Sequence, residues 1–258
     1  MRTKASPILV TLLFLASPTF LAADEIRVDC DFPGGNIVVD GIEGDVVRLR
    51  PDLRDTAGWW FYWCFRVRGA AGRTLRFEFT DGQPVGVRGP AVSTDGGKTW
   101  RWHGAGNGNT RSFSWRFAPE QNEVRFAFTI PYLQANWQTF LAAHKGNPRL
   151  RPEVLCRSRG NRPVQCLYVS DPDGHPRHRI LLTARHHACE SMASFAVEGL
   201  LQTVLAGDTE DARWLLENVE LLVVPFVDKD GVEKGDQGKN RRPRDHNRDY
   251  RKVSITDH

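Results

Sequence analysis

The chain has 258 residues, of which 40% are apolar and 26% charged, with a formal net charge of +4. These values point to a globular protein with one large domain or two modest ones. Two partners are argued against. Past the N-terminal segment no apolar run approaches the roughly 20 residues of a spanning helix. The basic cluster Lys239, Arg241, Arg242, Arg244 and Arg248 is interleaved with Asp236, Asp245 and Asp249 and lacks the alternating aromatics that stack on nucleic-acid bases.

The chain opens with Arg2 and Lys4, an apolar stretch over residues 8–15, and the small-residue end Leu21-Ala22-Ala23. This is the pattern of a secretory signal over residues 1–23, so export to a periplasmic or extracellular location is expected, with no stable membrane span after cleavage. Loss of Arg2 and Lys4 from a segment without acids lowers the net charge from +4 to +2. Export would permit disulfides. Cys156 and Cys166 bracket a polar loop and form the expected bridge; Cys189 reads as a buried thiol, and Cys30 and Cys64 read equally well as small core residues.

Residues 24–147 read as an all-β sandwich. Residues 37–39, 46–49, 59–67, 74–79 and 124–128 are rich in β-branched and aromatic side chains, and several alternate with charge in the two-residue period of a half-buried strand. Gly34-Gly35, Asp81-Gly82 and Asp95-Gly96-Gly97 supply turns between them. Residues 133–143 then read as a helix, and Lys145-Gly146-Asn147-Pro148 as a domain boundary.

In residues 148–258 strands alternate with helices. Residues 167–170, 180–183 and 221–225 are short apolar strands, while 191–205 and 212–218 have helical spacing. In such α/β sheets ligands gather at the carboxyl ends of strands, where His187 and the loop over residues 228–250 fall.

His187 and Glu190 stand three apart just after an apolar strand, a spacing that aims a nitrogen and a carboxylate at one point. They are two ligands suited to zinc. His186, four from Glu190, is the competing ligand and reads better as a supporting or loop histidine. Asn247 and Arg248 offer an amide and a guanidinium fork, the chemistry that grips a free carboxylate. The pattern HxxE is short enough to arise without a metal, and an Asn-Arg pair is commonly plain surface. The buried strand that leads into the Asp-Gly turn at Asp230-Gly231 favours function, because it would carry the polar loop back over the sheet edge.

The ordered set resembles the zinc metallocarboxypeptidases of the carboxypeptidase A-like family, and most closely their cytosolic carboxypeptidase branch. The residues that carry this are His187-Ala188-Cys189-Glu190, the altered turn Val227-Asp228-Lys229-Asp230-Gly231, and Asp245-His246-Asn247-Arg248. Ahead of them Gly34-Gly35-Asn36-Ile37, Trp60-Phe61-Tyr62-Trp63 and Phe126-Ala127-Phe128-Thr129-Ile130-Pro131-Tyr132 look like landmarks of that branch's N-terminal β-sandwich. The resemblance implies an N-terminal β-sandwich followed by an incomplete α/β carboxypeptidase domain, Zn2+ held by His187 and Glu190, and a peptide C-terminus as substrate received by Asn247 and Arg248. It further implies an arginine that polarises the scissile carbonyl, for which Arg241 is the candidate and Lys239 or Arg242 the alternatives. The family's third zinc ligand and its general-base glutamate have no counterpart before His258, so a C-terminally truncated chain is expected. A different class of function, a secreted module degenerate in the peptidase part, would use the aromatic run at residues 59–63 as a peptide or sugar platform.

Overall fold

The computed structural model describes residues 25–250, so the segment read as an export signal lies outside the described residues. The first unit contains β1 (Arg27–Asp29), β2 (Val38–Glu43), β3 (Val46–Arg50), β4 (Cys64–Arg68), β5 (Thr74–Phe79), β6 (Ala91–Ser93), β7 (Arg101–Trp102), β8 (Gly108–Asn109), β9 (Ser112–Arg116) and β10 (Glu123–Ala127). They form two five-stranded sheets, in the orders β1-β4-β10-β6-β7 and β2-β3-β5-β9-β8. The alternation in β5 shows why two sheets face each other: Leu75, Phe77 and Phe79 are buried while Thr74 and Arg76 are exposed. Trp63, Phe65, Phe77, Phe113 and Phe126 meet between the sheets, with Phe77 and Phe113 centroids 4.9 Å apart and Phe65 and Phe126 5.4 Å apart. Each such ring contributes about 1.5–3 kcal/mol through burial.

The aromatic run at 59–67 departs from the expected single strand. Only its end joins β4, because the backbone at Tyr62 pairs with the second unit instead of a strand: the Tyr62 N–H donates to the Gln237 side chain at 2.8 Å, while Trp63 stays in the sandwich core. Tyr62 and Trp63 are buried and Trp60 and Phe61 half-buried, leaving Trp59 as the exposed member.

The second unit contains α1 (Gln134–Ala143), β11 (Leu150–Arg157), β12 (Pro163–Val169), β13 (His178–Thr183), α2 (Met192–Ala206), α3 (Glu210–Asn218), β14 (Val219–Val224) and α4 (Lys229–Lys234), then a 3-10 turn at His246–Arg248. Its mixed sheet runs β11-β12-β14-β13, with β13 and β14 parallel and the other neighbours antiparallel. Leu167, Val223 and Leu201 are fully buried between the sheet and the helices. Trp137 and Phe140 of α1 pack into that same core, as does Tyr132, whereas Phe128 packs on the sandwich core. By packing, the units therefore divide between Phe128 and Tyr132, not at residues 147/148, because the helix's apolar face matches the second core.

The expected Cys156–Cys166 bridge is not formed; all five cysteines are free thiols. A bulge between Val154 and Cys156 sets the register of β11 on β12 so that Cys156 faces Val164 and Cys166 faces Glu153. Cys156 is thereby exposed and Cys166 buried.

Candidate functional site

Backbone bonds beyond the parallel pair β13–β14 place two loops side by side at the strands' carboxyl ends. Ala184 donates to Val224 O at 3.0 Å, Val227 to Ala184 O at 3.0 Å, and Asp228 to Arg185 O at 2.9 Å. Arg185 then takes a left-handed backbone, φ 61°, which turns the chain sharply into the segment 186–191. Its buried guanidinium donates to Tyr132 O at 2.8 Å, to Ser194 Oγ at 3.1 Å and, through Nε, to Ala188 O at 3.1 Å. Burial pushes its pKa down to about 10, since no carboxylate is among these acceptors.

His187 is 2% exposed and lies between two carboxylates. Its Nδ1 is 2.8 Å from Glu190 Oε1, and its Nε2 is 3.1 Å from Asp245 Oδ1. Glu190 sits in the turn just before α2, and its side chain is 47% exposed, open to a ligand. Asp245 is buried. It accepts from the backbone N–H groups of Asn240 at 2.8 Å and Asn247 at 2.9 Å, and from Arg248 Nη1 at 3.2 Å. Burial opposes its ionisation, but those N–H donors and His187 outweigh it and hold the carboxyl below its usual range.

The two motifs converge. Arg248 Nη1 comes within 3.5 Å of His187 Nε2, although 61 residues separate them. The short 3-10 turn, capped by the Asp245 side chain, presents Asn247 and Arg248 as exposed side chains beside the histidine. His186 points elsewhere, its Nε2 2.6 Å from the Tyr250 hydroxyl.

Arg241 faces three carboxylates. Nη1 donates to Asp228 Oδ2 at 2.5 Å and Nη2 to Asp236 Oδ2 at 2.8 Å, while Nε is 2.8 Å from Asp55 Oδ2 of the sandwich. All three guanidinium nitrogens are therefore turned to the protein, where a donor to a substrate carbonyl was expected. Lys239 lies with its Nζ 5.6 Å from the Trp60 ring centroid, and Arg242 is exposed.

Asp245, Asp228, Gln237 and Arg185 are parts of the site that motif reading missed. Asp245 carried a signal, as the first residue of Asp245-His246-Asn247-Arg248. Gln237 carried none, because its side-chain partners Tyr62 and Asp52 lie 175 and 185 residues away.

Zinc fits part of this arrangement. If Asp245 accepts the Nε2 proton, Nδ1 of His187 and Oε1 of Glu190 are both lone-pair atoms, and 2.8 Å apart they require a proton or a metal ion between them. The carboxylate behind the imidazole is the support that fixes a metal-binding histidine's tautomer. Among the described residues no group of three His, Cys, Asp or Glu side chains is arranged to hold an ion, so the site supplies two donors.

A family model described as zinc carboxypeptidase matches residues 137–255, and one described as cytosolic carboxypeptidase N-terminal domain matches residues 28–129. Cytosolic carboxypeptidase 3 of Mus musculus is 31% identical over 146 residues, covering 54% of this chain and 14% of that protein. A metallo-carboxypeptidase from Burkholderia cenocepacia aligns at 25% identity with a TM-score of 0.69, covering 83% of this chain and 58% of that one. A metallo-carboxypeptidase from Pseudomonas aeruginosa, solved with (2-guanidinoethylmercapto)succinic acid, aligns at 26% identity and a TM-score of 0.65, covering 82% and 58%. The chain thus spans 58% or less of these three proteins. The expectation of export is corrected by the same findings. The curated relatives include cytosolic carboxypeptidases 2 and 3, and the model matching the sandwich is that of the cytosolic carboxypeptidase N-terminal domain. An apolar N-terminal run alone was an insufficient basis for a location.

Proposed function

Because the chain belongs to the zinc carboxypeptidase family, with the N-terminal domain of the cytosolic carboxypeptidases ahead of its peptidase portion, we propose that it acts in hydrolysis of the C-terminal bond of peptides. The observation that carries the reading is the approach of Arg248 to His187 at 3.5 Å, which brings the guanidinium we assign to carboxylate binding beside the side chains we assign to zinc. His187 and Glu190 would hold zinc, which when bound would supply Lewis-acid chemistry for activating water and polarising the scissile carbonyl. Asp245 holds the imidazole in one tautomer and one orientation. Asn247 and Arg248 receive the terminal carboxylate, so that only the last peptide bond reaches the ligands. A succinic acid bound by the Pseudomonas aeruginosa relative is in keeping with carboxylate recognition at such a site. Arg241, tied to three carboxylates, serves in this reading as support for Asp228 beneath the site and not as the carbonyl's donor.

The test is equilibrium zinc uptake together with binding of a short peptide carrying either a free or an amidated C-terminus. The chain takes up zinc, His187→Ala loses it, and Arg248→Ala abolishes the preference for the free carboxylate. Zinc uptake unaffected by His187→Ala, or equal binding of acid and amide by the unmodified chain, would sink the proposal.

A further inference from the structure

We infer that the β-sandwich is a working part of the metal site: through Gln237 it positions the turn that carries His187 and Glu190. The inference deepens the reading above and rests on it for the identity of the ligands.

Gln237 is 1% exposed and lies at the junction of the two units. Its side chain pairs with the backbone of Tyr62 in the manner of a strand residue, Oε1 accepting from Tyr62 N–H at 2.8 Å and Nε2 donating to Tyr62 O at 2.7 Å. The Gln237 backbone carbonyl in turn accepts from the Cys189 N–H at 3.2 Å, in the middle of the ligand turn. Tyr62, Gln237 and Cys189 thus form one hydrogen-bonded line from the sandwich to one of the two residues between His187 and Glu190.

Packing runs along the same line. Cys189 is buried in a cluster with Tyr62, Cys64, Ala91 and Ala127 of the sandwich. The next residue of the loop is Gly238, with φ 77°, where an added Cβ would lie 2.4 Å from Ala188 N and 3.0 Å from His187 Cα. Only glycine lets the loop approach so closely while its neighbour's carbonyl reaches Cys189. Further contacts fix the loop's entry: Asn36 Nδ2 donates to Gly235 O at 2.8 Å, and Arg54 Nη1 to Asp236 Oδ1 at 2.6 Å.

Other ties hold the two ends of the turn, His187 to Asp245 at 3.1 Å and Ser191 Oγ to Ile130 O at 2.8 Å, and they leave the Cys189 N–H at its middle to Gln237. Within itself the turn makes the Glu190 N–H to His187 O bond at 3.3 Å, and Arg185 grips the Ala188 carbonyl. A weakened Gln237 anchor therefore frees the ligand turn before it loosens either core, as local opening follows the least-supported backbone.

The experiment is hydrogen–deuterium exchange on the full chain, comparing the peptide that covers residues 187–191 with peptides from β5 and β14. In Gln237→Met, which keeps the side chain's bulk and removes both bonds to Tyr62 together with the longer one to Asp52 O at 3.4 Å, exchange at 187–191 rises about tenfold, the effect of losing buried hydrogen bonds. The β5 and β14 peptides keep their protection. Gln237→Asn, which keeps the amide but draws it back by one methylene, gives a smaller rise and remains informative if the methionine variant does not fold. Tyr62→Phe removes only the hydroxyl's 2.8 Å bond to Gly34 O and leaves the backbone grip on Gln237 intact, so its ligand turn exchanges as in the unmodified chain. Zinc affinity falls in the two Gln237 variants in the order of their exchange. Unchanged protection at 187–191 in folded Gln237 variants overturns the inference, and so does an equal rise in Tyr62→Phe, which would mark general loosening of the junction. Faster exchange with undiminished zinc affinity also overturns it. A chain that takes up no zinc at all refutes the proposed function instead, and the exchange contrast then still decides whether the sandwich holds the turn.

Discussion

Replacing Arg241 by methionine removes a guanidinium from among three carboxylates while keeping most of its apolar stem. The partners differ in what they lose. Asp228, 2% exposed at its side chain, is left without its cation and retains the Gly231 N–H at 3.1 Å. Asp236 keeps Arg54 at 2.6 Å, and Asp55, 39% exposed, is largely solvated. An uncompensated buried carboxylate costs about 3 kcal/mol or more, and the Asp55 contact adds at most about 0.5 kcal/mol. We expect a loss of about 3 kcal/mol at neutral pH, read from urea unfolding, or a Tm lowered by roughly 6–12 °C for a chain of this size. The deficit has a pH signature. Burial already pushes the Asp236 carboxyl above its ordinary value of 3.8, and loss of the nearby cation raises it further. A carboxyl whose folded pKa is raised contributes its stability below the unfolded value and loses it as pH rises through the folded one. The variant's deficit therefore shrinks toward pH 4. A deficit under about 1 kcal/mol at pH 7, or one that stays flat from pH 7 to pH 4, would refute the view that charge compensation holds this junction.

Other outcomes follow from the same geometry. Asp245→Asn leaves the fold intact by circular dichroism and weakens zinc binding about 10–100-fold in a chelator competition, the cost of losing a histidine's supporting carboxylate; undiminished affinity would remove Asp245 from the site. Lys229 is 3% exposed, and burial brings its pKa from 10.5 to about 8. A base with a depressed folded pKa gives stability that is present above the unfolded value and lost as pH falls through the folded one, so the contribution of Lys229 rises between about pH 8 and 10.5. Lys229→Met is more stable at pH 7 and lacks that rise; parallel slopes in the two proteins would contradict the assignment. In thiol labelling Cys156 reacts fast, whereas Cys64 and Cys189, pushed by burial up to about 12 and about 11, wait for unfolding. Protection of Cys156 that a reductant releases would restore the bridge.

Legibility in the sequence tracked how local the cause was. The alternation in β5 and the helical spacing of α2 and α3 reflect each element's own buried face, so those elements were predictable from their own residues. β11 was missed because it lies at the sheet edge and is exposed along nearly its whole length, which leaves no alternation to read. The run 59–63 was read as strand from its aromatics, and tertiary pairing with Gln237 took its backbone elsewhere. Arg241 looked available for a substrate because its three carboxylate partners lie in separate segments, at positions 55, 228 and 236.

By itself the sequence determined the two kinds of unit and singled out His187 with Glu190 and Asn247 with Arg248 as candidate pairs, because each depends on residues spaced within one turn or one strand. Only the tertiary structure decided that Asp245 stands behind His187, that Arg248 reaches it, and that the sandwich grips the loop beneath both. Those contacts join positions from 58 to 175 residues apart, and such distances close only when two hydrophobic cores pack and bring their polar edges into register.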